Sequence, residues 1–306
     1  MVTSEENEKL QILAEDYHEF SLESYPSYAI IKGDHRFNSE LEDYSEKSLE
    51  EKSQKVDKFI ELLESLDKDK LDSKDVITYG MLQFTLENAR QGLLDRTFEY
   101  DAGVAGWQRI LLDYHSMFYI PNEESANNLH GRIEKYKNLF DQVSNLQKKA
   151  LQEGRTATAR NVNRTIEQVE NYLSINIEED LLLKVNFLPE ISKEFVSSWK
   201  ETAIEKIEKY VRPSVQDYLD LLKGEVLDQS RDDEHSGIMW NPGGEEFYSR
   251  QLKRYTDDKE ATVEEVHNVG LQEIERLKND FLTYGEKVFG VGLDFESVIS
   301  KMQTEP

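Results

Sequence analysis

Apolar residues in this chain step by three and four through nearly every segment, and that spacing constrains the fold most. Leu10, Leu13, Tyr17 and Phe20 open the pattern, and Val56, Phe59, Leu63 and Leu66 repeat it. Tyr79, Leu82, Leu86, Ala89 and Leu93 follow. Leu129, Ile133, Tyr136, Phe140 and Val143 mark a long helix, with Val162, Ile166, Val169, Leu173 and Ile177 on its antiparallel partner. Val266, Gly270, Ile274, Leu277, Phe281, Tyr284 and Val288 mark a final one. Residues so spaced share one face of an α-helix, whereas a strand would alternate them. Only 15 Gly and 6 Pro interrupt 306 residues. The predicted fold is mostly α, an array of long amphipathic antiparallel helices with at most a few short strands, at 182–187 or 236–240.

The punctuation sets the element ends. Pro26 disfavours helix at Tyr25 and closes the first helix. Ser48 with Glu51 reads as a capping box, and residues 67–75 as a charged linker ending in a cap at Asp72 or Ser73. Residues 100–121 are less regular and rich in aromatics, which suggests a packed, buried connection. Asn122 caps the long helix and Gly154 ends it. A further helix runs from Ile191 to about Val211, where Pro213 breaks or kinks it. Thr262 with Glu265 is a second capping box. We read residues 1–306 as a single helical region, with a sub-boundary near the turn-rich stretch at 228–243.

Charge and missing motifs exclude several functions. With 37 Lys+Arg against 62 Asp+Glu the net charge is −25, which repels nucleic acid. No apolar run approaches the roughly 20 residues of a membrane span. Cysteine is absent, so disulfides, Cys-based zinc sites and thiol nucleophiles are excluded. The N-terminus has neither the basic nor the apolar region of a signal peptide. A cytoplasmic protein or a mature exported or cell-envelope protein would each fit.

The six histidines, His18, His35, His115, His130, His235 and His267, nowhere recur four apart as a zincin helix requires. His18-Glu19 begins that pattern, but position 22 is Leu. No G-x-S-x-G elbow or Walker loop occurs. Neither a catalytic set nor a metal set is therefore expected in this chain. The candidate substrate-binding residues are Asn241, Gly243, Gly244 and Tyr248. Adjacent glycines permit positive φ and close approach of another chain, and an aromatic ring four residues on offers a stacking wall.

Three stretches resemble the bacterial domain-of-unknown-function family 885. The first runs from Tyr25-Pro26 through Gly33-Asp34-His35-Arg36-Phe37 to Leu41, Asp43 and Ser45. The second, Pro121 to Tyr172, is similar to the family's paired helices, with Gly154 and Arg160 in place. The third holds Pro242-Gly243-Gly244, Phe247-Tyr248, Thr256, Thr262, Glu264-Glu265, His267, Gly270-Leu271 and Glu273-Ile274. It departs at Arg254 and Tyr255, where many relatives carry a His before the threonines. Members of the family resemble zinc-dependent metallopeptidases about twice this length, with an H-E-x-x-G-H-H-type motif in the second half.

The resemblance implies an N-terminal helical half that forms one wall of a peptide-binding cleft. The zinc would lie in the C-terminal half, and the chain alone would be inactive. The apolar stripe on the final helix, built to meet that half, would then favour self-association. The alternative is a complete, non-catalytic helical protein used for binding or assembly.

Overall fold

Each periodic stretch folds as a helix. A computed structural model of the chain describes residues 5–102, 106–112, 114–256, 258 and 260–304. The chain divides into two units, Met1–Ser236 and Gly237–Pro306. In the first unit, α1 (Glu5–Ser24), α2 (Pro26–Ile31), α3 (Glu46–Glu64), α4 (Ser73–Asp95) and α5 (Arg109–Leu112) precede strand β1 (Tyr119–Ile120). Then come α6 (Glu123–Gln152), α7 (Ala159–Ser174), strand β2 (Asn186–Phe187), α8 (Lys193–Lys206) and α9 (Arg212–Leu221). The two strands pair in parallel, Tyr119 opposite Asn186. Strand therefore forms inside 182–187, whereas Ile238–Trp240 is a 3-10 turn. The 3-10 turn closes with the Asn241 N–H bonded to the Ile238 carbonyl, leaving no extended backbone to pair.

Asp72 and Asn122 cap α4 and α6 as their positions predict. The start of α3 comes earlier than its sequence suggests. Ser45, not Ser48, is the N-cap, and its Oγ accepts from the Ser48 N–H at 3.2 Å. Asp43 fixes this earlier start, because its carboxylate accepts from the Ser45 N–H at 2.8 Å. Helix α7 stops at Ser174, and Ile177 lies in a separate 3-10 turn opened by Asn176.

Pro213 neither breaks nor ends its helix. Residues Ile207–Val211 form a π-turn that joins α8 to α9. Proline lacks an N–H and its ring crowds the preceding turn, and the wider turn relieves both demands.

The first unit holds two cores. Leu10 and Leu13 of α1 meet Val56, Phe59 and Leu63 of α3 and Tyr79, Leu82 and Leu86 of α4. The larger core surrounds α6, whose Leu129, Ile133, Tyr136, Phe140 and Val143 are all buried. Helix α9 approaches both α6 and α7 closely. Trp199 of α8 is buried against α6, its indole N–H donating to the Ala126 carbonyl at 2.7 Å and its ring stacked on His130 at 5.2 Å.

Burial extends to charged groups, which hydrogen bonds must then satisfy. Asp180 is fully buried and accepts from the Tyr172 hydroxyl at 3.1 Å and the Leu182 N–H at 3.0 Å. Arg212 reaches the same carboxylate at 3.0 Å and donates to the carbonyls of Leu173, in the last turn of α7, and of Ile175, just beyond it.

The second unit comprises α10 (Gly244–Thr256), α11 (Val263–Phe289) and α12 (Phe295–Thr304). Thr262 and Glu265 form the reciprocal capping box at the start of α11. Helix α12 packs on the end of α11 through an edge-on Phe281–Phe295 contact at 5.7 Å. It also packs at Gly285, where a Cβ would come within 2.6 Å of the Val298 side chain. Among the described residues, Gly285 is the only one of α11 that is buried. Ile274, Leu277, Tyr284 and Val288 form a continuous stripe, and each is 45–71% exposed.

Candidate functional site

The structure brings Asn241, Gly243 and Gly244 into one tight turn and places Tyr248 just beyond it on α10. The Asn241 N–H donates to the Ile238 carbonyl at 2.9 Å, and its own carbonyl accepts from the Gly244 N–H at 2.9 Å. Gly243 has φ +71° and its carbonyl accepts from Phe247 at 3.0 Å, the first bond into α10. A Cβ on Gly244 would collide with the Ile238 carbonyl oxygen. Both glycines are thus required by the turn itself, since only glycine tolerates that backbone and that approach. Asn241 is buried, whereas Tyr248 and the neighbouring Met239 and Trp240 are about half exposed.

A second feature lies in the first unit, within the Tyr25 to Ser45 stretch. Its polar residues tie loops together. Asp34 accepts from the Arg36 N–H at 3.1 Å, and the Arg36 guanidinium beside it holds its carboxyl below the usual range. Asn38 donates to the Ser125 carbonyl at 2.9 Å, fastening the loop to α6. Buried Glu42 accepts from both the N–H and the hydroxyl of Ser27, each at 2.9 Å, and Arg132 of α6 lies 4.0 Å from its carboxylate. Arg132 also donates to the Ser27 hydroxyl and the Glu40 carbonyl.

Beside this network is a cavity of 580 Å3. One wall comes from the same stretch, with Tyr25, Tyr28, Glu42 and Tyr44; the other comes from Phe98, Asp101, Trp107 and Tyr114. Tyr44 meets Trp107 edge-on at 4.6 Å, and Phe98 lies 5.8 Å from Tyr44. Burial pushes the Tyr44 hydroxyl well above its ordinary pKa and raises that of Tyr25, where Glu42 adds to it. Burial likewise raises the Asp101 carboxyl.

The family model for "bacterial protein of unknown function (DUF885)" matches residues 26–306, from the Pro26 that opens α2 through the Gly243-Gly244 turn. The chain belongs to this bacterial family. Among solved structures, this DUF885 chain is similar to "the putative lipoprotein from Colwellia psychrerythraea", at TM-score 0.80 and 16% identity. The likeness covers 99% of this chain and 55% of that one, so the DUF885 chain spans about half the length of its structural neighbour. No curated protein matches the sequence.

Among the described residues of this DUF885 chain, no three His, Asp or Glu side chains converge so as to hold a metal ion. His115 is buried, with its Nδ1 at 2.9 Å from the Leu182 carbonyl and its Nε2 at 3.2 Å from the Tyr136 hydroxyl, as expected of a core histidine. His35 contacts Asn38, and His235 pairs with Asp232. No described helix is long and apolar enough to cross a membrane.

No motif or periodicity in the sequence marks the 580 Å3 cavity. Its signal was the clustering of aromatics in two non-periodic stretches, Tyr25 to Tyr44 and Phe98 to Tyr114, which reads equally well as loop packing.

Proposed function

We propose that this chain is the N-terminal helical part of a zinc-dependent metallopeptidase and supplies one wall of its peptide-binding cleft. The observation that carries the reading is the exposed apolar stripe of α11, Ile274, Leu277, Tyr284 and Val288. A 27-residue helix with one buried residue among those described leaves apolar area that water disfavours, and such patches mark interaction surfaces. The similarity to a structure nearly twice as long supports a larger assembly. The turn at Asn241, Gly243 and Gly244, with exposed Tyr248 beyond it, is the substrate-facing element of this proposal, and peptide is the ligand. Zinc and its ligands would come from sequence outside this chain.

The test compares residues 1–306 alone with the same chain co-expressed with any downstream reading frame that encodes an H-E-x-x-H helix. We expect peptide hydrolysis sensitive to 1,10-phenanthroline only from the pair. The isolated chain should bind hydrophobic dye and associate with rising concentration. Tyr248→Ala should reduce turnover by the pair. A dye-negative monomer at high concentration would overturn the account of the α11 surface and favour a complete, non-catalytic binding or assembly protein.

A further inference from the structure

We infer that the cavity between Tyr25, Tyr28, Tyr44, Trp107 and Asp101 is a binding site for an organic cation, an ammonium group carried on an apolar body. The assignment goes beyond the peptidase reading and does not depend on it, because it uses only residues of the first unit.

Size and walls come first. At 580 Å3 the cavity falls within the range of small-molecule sites. Its rings are fixed before a ligand arrives, since Tyr44, Phe98 and Trp107 pack edge-on or tilted against one another at 4.6–6.4 Å. Fixed rings spare a ligand the ordering cost of assembling its site.

The chemistry of those walls selects a cation. The face of an aromatic ring is electronegative and attracts ammonium groups. Three of the rings already hold a lysine ammonium near one face, whereas Phe98 and Trp107 hold none among the described residues. The Lys52 ammonium lies over Tyr25 at 5.8 Å and over Tyr44 at 5.4 Å, and that of Lys32 over Tyr28 at 5.2 Å. Neither lysine lines the cavity.

The two carboxylates on the wall differ in a way that matters. Glu42 is buried, held at both oxygens by Ser27 and balanced by Arg132. It is therefore a finished part of the wall. Asp101 is partly buried, and burial disfavours its charge; the Ala102 N–H opposes this by hydrogen-bonding to it. No cation among the described residues pairs with Asp101. A ligand ammonium in the cavity would supply that counter-charge away from bulk water, where the attraction is stronger. The remaining charged lining residue, Arg109, is exposed and already partnered.

The experiment is calorimetric titration of the full 306-residue chain with choline, compared with 3,3-dimethylbutan-1-ol, its neutral isostere. We expect choline to bind saturably at millimolar concentration or below and the neutral alcohol to bind at least about tenfold more weakly. Asp101→Asn should weaken choline by a similar factor. Tyr28→Ala, which truncates a half-exposed rim ring, should weaken it about 2- to 30-fold. Circular dichroism would confirm that both variants keep their helices. Equal affinity for choline and the alcohol would overturn the inference. So would unchanged choline affinity in the folded Asp101→Asn variant, or no saturable choline binding into the millimolar range.

Discussion

Replacing Arg212 with Met should destabilise the first unit by about 3–5 kcal/mol, the cost of leaving a buried carboxylate without its cation. Asp180 is fully buried and Arg212 lies 3.0 Å from it. The same guanidinium donates to the Leu173 and Ile175 carbonyls at 3.2 and 2.8 Å, so it also terminates α7. Met retains much of the volume and none of the donors. Asp180 would keep the Tyr172 hydroxyl and the Leu182 N–H, which moderates the loss. The Arg212 side chain is 19% exposed, so water can reach part of the vacated site. The lower half of the range is therefore expected.

Asp180→Asn removes the charge but retains an acceptor for Tyr172, and should cost about 2 kcal/mol, near the value for a disrupted buried hydrogen bond. If the two groups act as a pair, the double variant should lose less than the sum of the singles by about 1–3 kcal/mol. The assay is urea unfolding followed by tryptophan fluorescence, in a background carrying Trp240→Phe so that the signal comes from Trp107 and Trp199 of the first unit. Additivity within about 0.5 kcal/mol, or a loss below about 1 kcal/mol for Arg212→Met, would refute the reasoning.

Two further outcomes follow from buried groups. Desolvation, with the nearby Arg132 charge, pushes His115 down to about 3 from an ordinary 6.5, so the folded chain holds it neutral where the unfolded chain takes up a proton. Its contribution to stability is complete above the unfolded pKa and is lost as pH falls from about 6.5 towards about 3. His115→Gln should flatten that acid slope in urea midpoints, and an unchanged slope would contradict the assignment. At the turn, Gly244→Ala must displace the Ile238 carbonyl. It should cost about 1–3 kcal/mol locally, read as faster amide exchange at position 244 and at Phe247, whereas Tyr248→Ala should leave both amides protected. Equal protection in the Gly244→Ala variant would show that the turn tolerates a side chain.

Much of the fold was legible in the sequence because helices are local. Leu129, Ile133 and Tyr136 share a face by spacing alone, and Asp72, Asn122 and Thr262 cap helices by side-chain bonds that span two or three residues. Where the structure departs from that pattern, the cause is local too. Ser45 displaced Ser48 because Asp43 fixed the preceding turn, and Pro213 continued a helix because a π-turn made room for it. The Gly243-Gly244 pair was legible as a turn, and the structure adds the reason, the approach of the Ile238 carbonyl.

What the sequence determined by itself was helix content, most of the caps and the family pattern, all carried by interactions within a few residues. The cavity was decided only by tertiary structure. Tyr25 and Trp107 stand 82 positions apart, and no periodicity encodes that their rings wall one space. The same holds for Ser27, Glu42 and Arg132, and for Asp180 and Arg212. Each is an ordinary polar residue in the chain, and joins a hydrogen-bonded cluster only when packing brings its partners together and excludes most of the water.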